Sequence, residues 1–545
     1  NYLIAKFLSG IFIVNIILLF VFIGVALGFV LPGTNQEIIN PFDLQSYLDA
    51  YFIVILPNLI LYSSIIFGVV TFTRNVYVGF VSVILIVIIE GLLVSLSNNP
   101  DNRFLAALLD PSGNSAVAYY TRYWTVSEQN ELYVPLGELI VYNRLLILSL
   151  GTIVLLSIYK VFSFSQNAFT FSFNKKESKR ETKSNFGGII KINLPKLSLD
   201  FSFKNDLKKL WDLSNIDFLF IVKSWPFIII VIISLLINLI GLSELGNVFG
   251  TPTYPRTWKM LQAGVTFTLF INICTFLYAG NLLHRSRVAN VNQLIDATPT
   301  PNWILLGSKF LAIIKMQLIL VSLVMISGIL FQIYSGYYDF EIGHYLYELI
   351  GLSMISYVIW AFLAFLIQTL ITDRYVGLFI MILLFIGIPL LGAAGLEQSI
   401  FKYNAGTGFA YSDMNGYGSS LNRFFLYKIY WLSLGLVFFI LTYLFYFRGL
   451  PSSFKERISI ANSRFKGKYP NFLGLFMLIF LSTGGYIYYE TNILNERTSS
   501  KERELQTVEW EKKYKKYENY DQPRIVSVKV DVNLFPKTLD ADASG

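Results

Sequence analysis

Long, nearly uninterrupted apolar runs recur through this chain, and no other feature restricts its possible folds as strongly. Ile11–Val30 carries a single polar side chain, Asn15. A helix needs about 20 such residues to cross the hydrocarbon core of a bilayer. Only a helix satisfies every backbone group inside one segment, and membrane barrels use short alternating segments instead. About eleven spans can be read, near 8–31, 51–72, 76–97, 139–162, 226–245, 262–282, 304–332, 348–371, 375–396, 425–447 and 471–490. Charged residues are 14% of 545, against about 25% in soluble domains. The expected class is an all-α polytopic membrane protein.

The net charge of +8 gathers in loops, which makes it a topology signal rather than a nucleic-acid footprint. Lys and Arg crowd the segment from Asn174 to Lys209, and Arg448, Lys455, Arg457, Arg464, Lys466 and Lys468 crowd the loop after Phe447. Alternation of spans puts both loops on one side, read as cytoplasmic. The N-terminal end is then cytoplasmic and the C-terminal tail extracytoplasmic. Residues 164–203 read as a flexible cytoplasmic linker between 1–163 and 204–447. Leu207, Leu210, Trp211 and Phe218, with Lys208, Lys209 and Asp212 between them, predict an amphipathic helix over 204–224 on the inner leaflet. Beyond a basic loop and extra span over 448–490, residues 491–545 read as soluble: a Glu- and Lys-rich helix at 499–517, then a strand over 526–534 whose valines alternate with polar residues. Cys274 is the only cysteine and excludes a disulfide framework. The start at Asn1 is read as that of a fragment.

The two parts repeat. Phe42–Leu48 aligns with Phe340–Leu346, and Thr71 and Tyr77-Val78-Gly79 align at the same offset with Thr369 and Tyr375-Val376-Gly377. Asn143-Arg144 parallels Asn422-Arg423 near the last span of each part. The expected architecture is a parallel repeat of two like bundles.

One loop stands out. Between the spans at 262–282 and 304–332 the chain reads His284-Arg285-Ser286-Arg287-Val288-Ala289-Asn290-Val291-Asn292-Gln293-Leu294-Ile295-Asp296-Ala297-Thr298-Pro299-Thr300-Pro301. Val288, Val291, Leu294 and Ile295 share one helical face, and Thr-Pro ends the helix because the residue before proline avoids the α region. Continuing through Asn302-Trp303 to Gly307-Ser308-Lys309, this segment resembles the cytoplasmic loop of type 2 ABC exporter permeases. The resemblance implies a coupling helix over 285–297 that docks on an ATPase, with Arg285, Arg287, Val291, Leu294, Ile295 and Asp296 in contact. Glutamates usual in that family's lead-in are replaced by Asn281 and Ser286. Asp101-Asn102-Arg103, Leu108-Leu109-Asp110-Pro111, Thr121-Arg122-Tyr123-Trp124-Thr125, Thr491-Asn492-Ile493-Leu494-Asn495 and Glu511-Lys512-Lys513-Tyr514 resemble bacterial proteins that fuse a doubled permease of this kind to an extracytoplasmic zinc aminopeptidase-like domain. That likeness implies a bacterial inner-membrane protein, two further spans before Asn1, and a peptidase-like domain starting near Val526.

Neither a phosphate loop nor an H-E-x-x-H zinc helix is present, so no cofactor is expected in this chain. ATP and Mg belong to a partner, a cytoplasmic ABC ATPase in two copies, alongside membrane lipid and no nucleic acid. The expected function is the permease subunit of an exporter. Its rival is a scaffold or mechanotransmitter that actuates the outer peptidase-like domain without transport. Glu90 in Ile88-Ile89-Glu90-Gly91 reads either as a substrate-path residue or as an interfacial one. Gln317 could line the same path, while Lys315 is read as snorkelling to the cytoplasm. His344 and Glu348, four apart, read as a surface pair. Tyr119, Tyr120, Tyr123 and Trp124 read as an interfacial belt.

Overall fold

A computed structural model describes residues 2–28, 42–73, 78–79, 82–83, 85–86, 89–91, 103–162, 202–245, 247–248, 251–392, 395–449, 454–467, 469–495, 498–520, 524–535 and 540–545. All but the last two residues of the linker read at 164–203, and most of the span read at 76–97, lie outside them. Eight described helices are long and apolar enough to cross a membrane: Tyr2–Gly28, Leu44–Thr73, Glu138–Val161, Phe267–Val288, Asn302–Tyr334, Ile342–Leu370, Ser420–Phe445 and Tyr469–Leu494. The chain is thus an α-helical, multi-pass membrane protein. Two of the eleven expected spans take another form. The run at 226–245 belongs to a pair, Phe203–Val222 and Trp225–Leu239, bent by 66°. The run at 375–396 yields the shorter helix Arg374–Leu390, which ends one residue after Pro389.

The chain divides into two compact units, Asn1–Cys274 with Ile314–Tyr345 and Thr275–Ile313 with Leu346–Gly545. One backbone feature occurs in both. The Leu44–Asp49 helix widens into a π-turn at Ala50–Ile55 before continuing as Leu56–Thr73. The Ile342–Leu346 helix likewise widens at Tyr347–Ser353 before Met354–Leu370. These are the aligned segments of the sequence repeat. A π-turn inserts one residue into the helix and is costly enough that it clusters at functional positions.

In the first unit, Leu56–Thr73 packs on Glu138–Val161 through glycine. A Cβ at Gly151 would lie 3.3 Å from Leu61 Cα, and one at Gly68 2.9 Å from Ile158 Cδ1. Lipid gives apolar helices little reason to associate, so close backbone approach supplies the attraction through dispersion. Arg144, buried on Glu138–Val161, donates to Asn143 Oδ1 (2.7 Å), Asn58 Oδ1 (3.0 Å) and Pro111 O (3.4 Å). Asn143 Nδ2 donates to Leu108 O and Asp110 O, both at 2.9 Å. Together they tie down the hairpin of Arg103–Leu109 and Asn114–Thr121. Tyr120 is part of this construction, because its hydroxyl accepts the Leu139 N–H (3.1 Å). Tyr123 is exposed.

The helix expected over 204–224 is present as Phe203–Val222, and its contacts show what holds it. Its buried side is Ser214, Asp217 and Ile221, and Leu207 and Trp211 face outward. Lys315 Nζ donates to Ser214 Oγ and Asn215 Oδ1, both at 2.6 Å, and stands 3.5 Å from the Trp211 ring centroid. The ammonium therefore pins this helix.

In the second unit, Ser420–Phe445 lies between Met354–Leu370 and Tyr469–Tyr488. A Cβ at Gly435 would lie 2.6 Å from Phe362 Cδ2, and one at Gly484 2.8 Å from Tyr430 Cε2. Buried Lys428 donates to Asn404 O (3.2 Å) and Oδ1 (2.9 Å), and Asn404 Nδ2 to Ser356 O (3.0 Å). Each unit thus uses a buried cation on a late helix to hold a preceding loop. The buried cation of the second unit is Lys428; Asn422 and Arg423, which parallel Asn143 and Arg144 in sequence, are exposed. The tail also differs from expectation. The strand begins at Asp531, not Val526, and pairs with its own successor, Asp531–Phe535 against Asp540–Ser544, as an antiparallel hairpin.

Candidate functional site

The loop 284–303 is a folded turn rather than one helix. The Phe267–Val288 helix runs through Arg285 and Arg287 and stops because Asn290 adopts φ +55°. The Val291 N–H then reaches back to Ser286 O (2.9 Å) and the Asn290 N–H to Arg287 O (3.0 Å). This is a Schellman-type closure, in which asparagine is among the few side chains that tolerate the left-handed region. A second helix of five residues follows, Asn292–Asp296. The continuous coupling helix over 285–297 is therefore corrected to two pieces hinged at Asn290.

Arg287, Asp296 and the carbonyls of the turn bond to the segment after Phe445, while Asn290, Gln293 and Thr298 are exposed. The Asp296 carboxylate accepts the Gly449 N–H (2.8 Å). Arg448 donates to Asp296 O (3.5 Å), Thr298 O (3.2 Å) and Thr300 O. Arg287 donates to Phe447 O (3.3 Å) and lies 3.8 Å from the ring centroid of Phe447. Arg457 covers the same ring at 4.3 Å and donates to Thr369 O (3.4 Å) and Leu370 O (3.1 Å). Arg464 donates to Tyr443 O (3.5 Å), Leu444 O (3.4 Å) and Tyr446 O. The last carbonyls of a helix have no intrahelical donors, and a cation suits the negative end of the helix dipole. Burial among these groups pulls Arg457 and Arg464 below the usual guanidinium range, and burial followed by the charge of Asp296 raises the Tyr446 phenol.

Below the turn, His284 Nε2 donates to Gln368 O (3.0 Å). The Gln368 side chain occupies a slot with glycine on two sides: a Cβ would lie 2.7 Å from it at Gly280 and 2.5 Å at Gly377.

The apolar residues of the turn face outward. Leu294 is 75% exposed, Val288 56%, and Val291 and Ile295 both 38%. The result is a small apolar knob on a polar, tightly bonded base. Of the residues singled out by sequence, Arg287 and Asp296 belong to the base, Val291, Leu294 and Ile295 to the knob, and Arg285 is half-buried. Glu90 and Gln317 lie elsewhere, in the first unit; Glu90 is half-buried and Gln317 fully buried. Glu348 accepts from the Tyr417 hydroxyl (2.9 Å), and burial followed by that carboxylate raises the Tyr417 phenol. Phe447, Arg448, Gly449, Arg457 and Arg464 were missed as site residues. Their signal was present as a dense Lys and Arg run directly after a span, but it was read for topology alone.

Fold and turn together define a multi-pass helical membrane protein with an arginine-bolted turn at one end. No family model, curated protein or solved structure matches the chain.

Proposed function

We propose that this chain is the membrane-spanning permease subunit of an ABC-type exporter, built from two like bundles and driven by a separate cytoplasmic ATPase. What carries the reading is the turn at 284–303. A docking element for a soluble motor must offer apolar surface to water, must not collapse onto its own protein, and must be stiff enough to transmit a push. Leu294 and its apolar neighbours meet the first two requirements, and the bonds from Arg448, Gly449 and Arg287 meet the third. The recurrence of the π-turn at 50–55 and 347–353 supports the two-bundle architecture. In this reading Lys and Arg around the turn mark the cytoplasmic side, ATP and Mg reside in the partner, and Gln317 and Glu90 are candidates for a substrate path.

The test is gentle purification of the complex from native membranes, with mass spectrometry of the subunits that accompany it. A stoichiometric ATPase that is lost from the Leu294→Asp variant, while the variant chain itself is recovered in full, is the expected result. Recovery of the chain without any ATPase overturns the proposal.

A further inference from the structure

The Ser500–Tyr514 helix and the 3-10 turn Lys515–Tyr517 after it keep an aromatic ridge uncovered. Trp510, Tyr514, Tyr517 and Tyr520 follow one another at helical spacing, with ring centroids 5.2, 6.4 and 5.7 Å apart. They are 64%, 42%, 47% and 70% exposed. Lys513 Nζ lies 5.4 Å from the Tyr514 centroid and Lys516 Nζ 4.9 Å from that of Tyr517. Lys512 and Lys515 add to the positive charge, so four lysines outweigh Glu511 and Glu518 within 510–520, while Glu502, Glu504 and Glu509 lie in earlier turns. Lysines late in a helix complement its dipole, but that accounts for no aromatic ridge.

We propose that residues 510–520 seat on the headgroup layer of an anionic lipid bilayer. Two observations select lipid over protein. The first is composition: interfaces between proteins are enriched in Tyr and Trp but depleted in Lys, whereas Trp, Tyr and Lys together are the residues of the membrane–water boundary, and clustered lysines favour acidic lipid. The second is continuity. The Tyr469–Leu494 span ends just before this helix, and the connection 495–499 can cover no more than roughly 20 Å. The start of the helix is also fastened to that end of the span. The Ser500 N–H donates to the Glu397 carboxylate (3.2 Å), and the adjacent Gln398 Nε2 donates to Asn492 Oδ1 (2.7 Å). The capping box of Ser499 and Glu502 completes the anchor. The ridge is therefore held within reach of the bilayer surface, with its rings to enter the boundary and its lysines to meet phosphate.

The test places a nitroxide at Asn519→Cys in a Cys274→Ser background of the full chain, reconstituted in nanodiscs of phosphatidylcholine with or without phosphatidylglycerol. Collisions with an aqueous nickel chelate and with oxygen report depth. The expected result is a several-fold fall in nickel accessibility when phosphatidylglycerol is present. Changing Lys512, Lys513, Lys515 and Lys516 to Gln should erase that difference. Raised salt should reverse it in the unsubstituted chain, because exposed charges are screened, and this keeps the test independent of any loss of helix in the variant. Equal, high nickel accessibility in both lipid mixtures overturns the proposal. Protection that persists in lipid-free detergent also overturns it, and assigns the ridge to a protein partner.

Discussion

Arg448→Ala should loosen the 284–303 turn without unfolding the bundle. The guanidinium bonds three carbonyls, those of Asp296, Thr298 and Thr300, the first at the limiting distance of 3.5 Å. Two effective bonds remain, and charge-assisted bonds contribute about 1.5–3 kcal/mol each. Arg448 is half-exposed, so solvent takes over part of that role, and a net cost of about 2 kcal/mol to the closed turn is reasonable. Each 1.4 kcal/mol is tenfold in an equilibrium, so local opening should rise by about 30-fold. Hydrogen exchange reads this directly. The Ile295, Ala297 and Thr298 amides are bonded within the turn to Val291 O, Gln293 O and Ile295 O, and their exchange should quicken by that factor while amides of Ser420–Phe445 stay slow. Arg448→Lys should fall between, since an ammonium lacks the fork that spans several carbonyls. Unchanged exchange at 295–298 in the alanine variant would show that the turn holds itself, and the stiffness argument would fail.

Further outcomes follow from other contacts. Leu294→Asp should change thermal stability by no more than about 0.5 kcal/mol, as expected for an exposed position, yet prevent recovery of the ATPase; melting of the purified chain alongside the pull-down separates the two effects. Gly377→Ala places a methyl 2.5 Å from Gln368 Oε1 and should cost about 1–3 kcal/mol through overpacking, seen as a lower melting midpoint. Arg144→Met leaves Asn58 Oδ1 and Pro111 O without the buried donor they have now, a loss of about 1–3 kcal/mol for each buried acceptor left unsatisfied. Proteolysis in the 107–115 hairpin should become faster.

The membrane spans were legible because hydropathy sums over some twenty residues and tolerates local error. The run at 375–396 shows the limit: apolar composition continued past Leu390, but the helix did not. Asn290 shows another. Val288, Val291, Leu294 and Ile295 fit one helix by spacing, and periodicity cannot register a single left-handed residue that divides it. The π-turns escaped for a related reason. Ala50–Ile55 and Tyr347–Ser353 share little sequence, and one inserted residue in a uniformly apolar run leaves no mark on hydropathy. The tail strand was read from alternation that begins at Val526, but a strand is defined by its partner, and pairing starts only at Asp531.

The arginines join these levels. Counting Lys and Arg assigns a side of the membrane, but it treats the charges as interchangeable. In the folded chain they are not. The Met354–Leu370 helix ends under Arg457, the Ser420–Phe445 helix under Arg464, and the Asn292–Asp296 helix under Arg448. Carbonyls at helix ends near lipid must find donors within the protein or in interfacial water, and here guanidinium groups supply them. Phe447 lies between Arg287 and Arg457, so the turn and the Met354–Leu370 end share one ring. A force on Leu294 has a bonded route through Arg448 to Phe447, and from Phe447 through Arg457 to the carbonyls of Thr369 and Leu370. In the proposed reading, the charges counted for topology are the same groups through which a docked motor would move the chain.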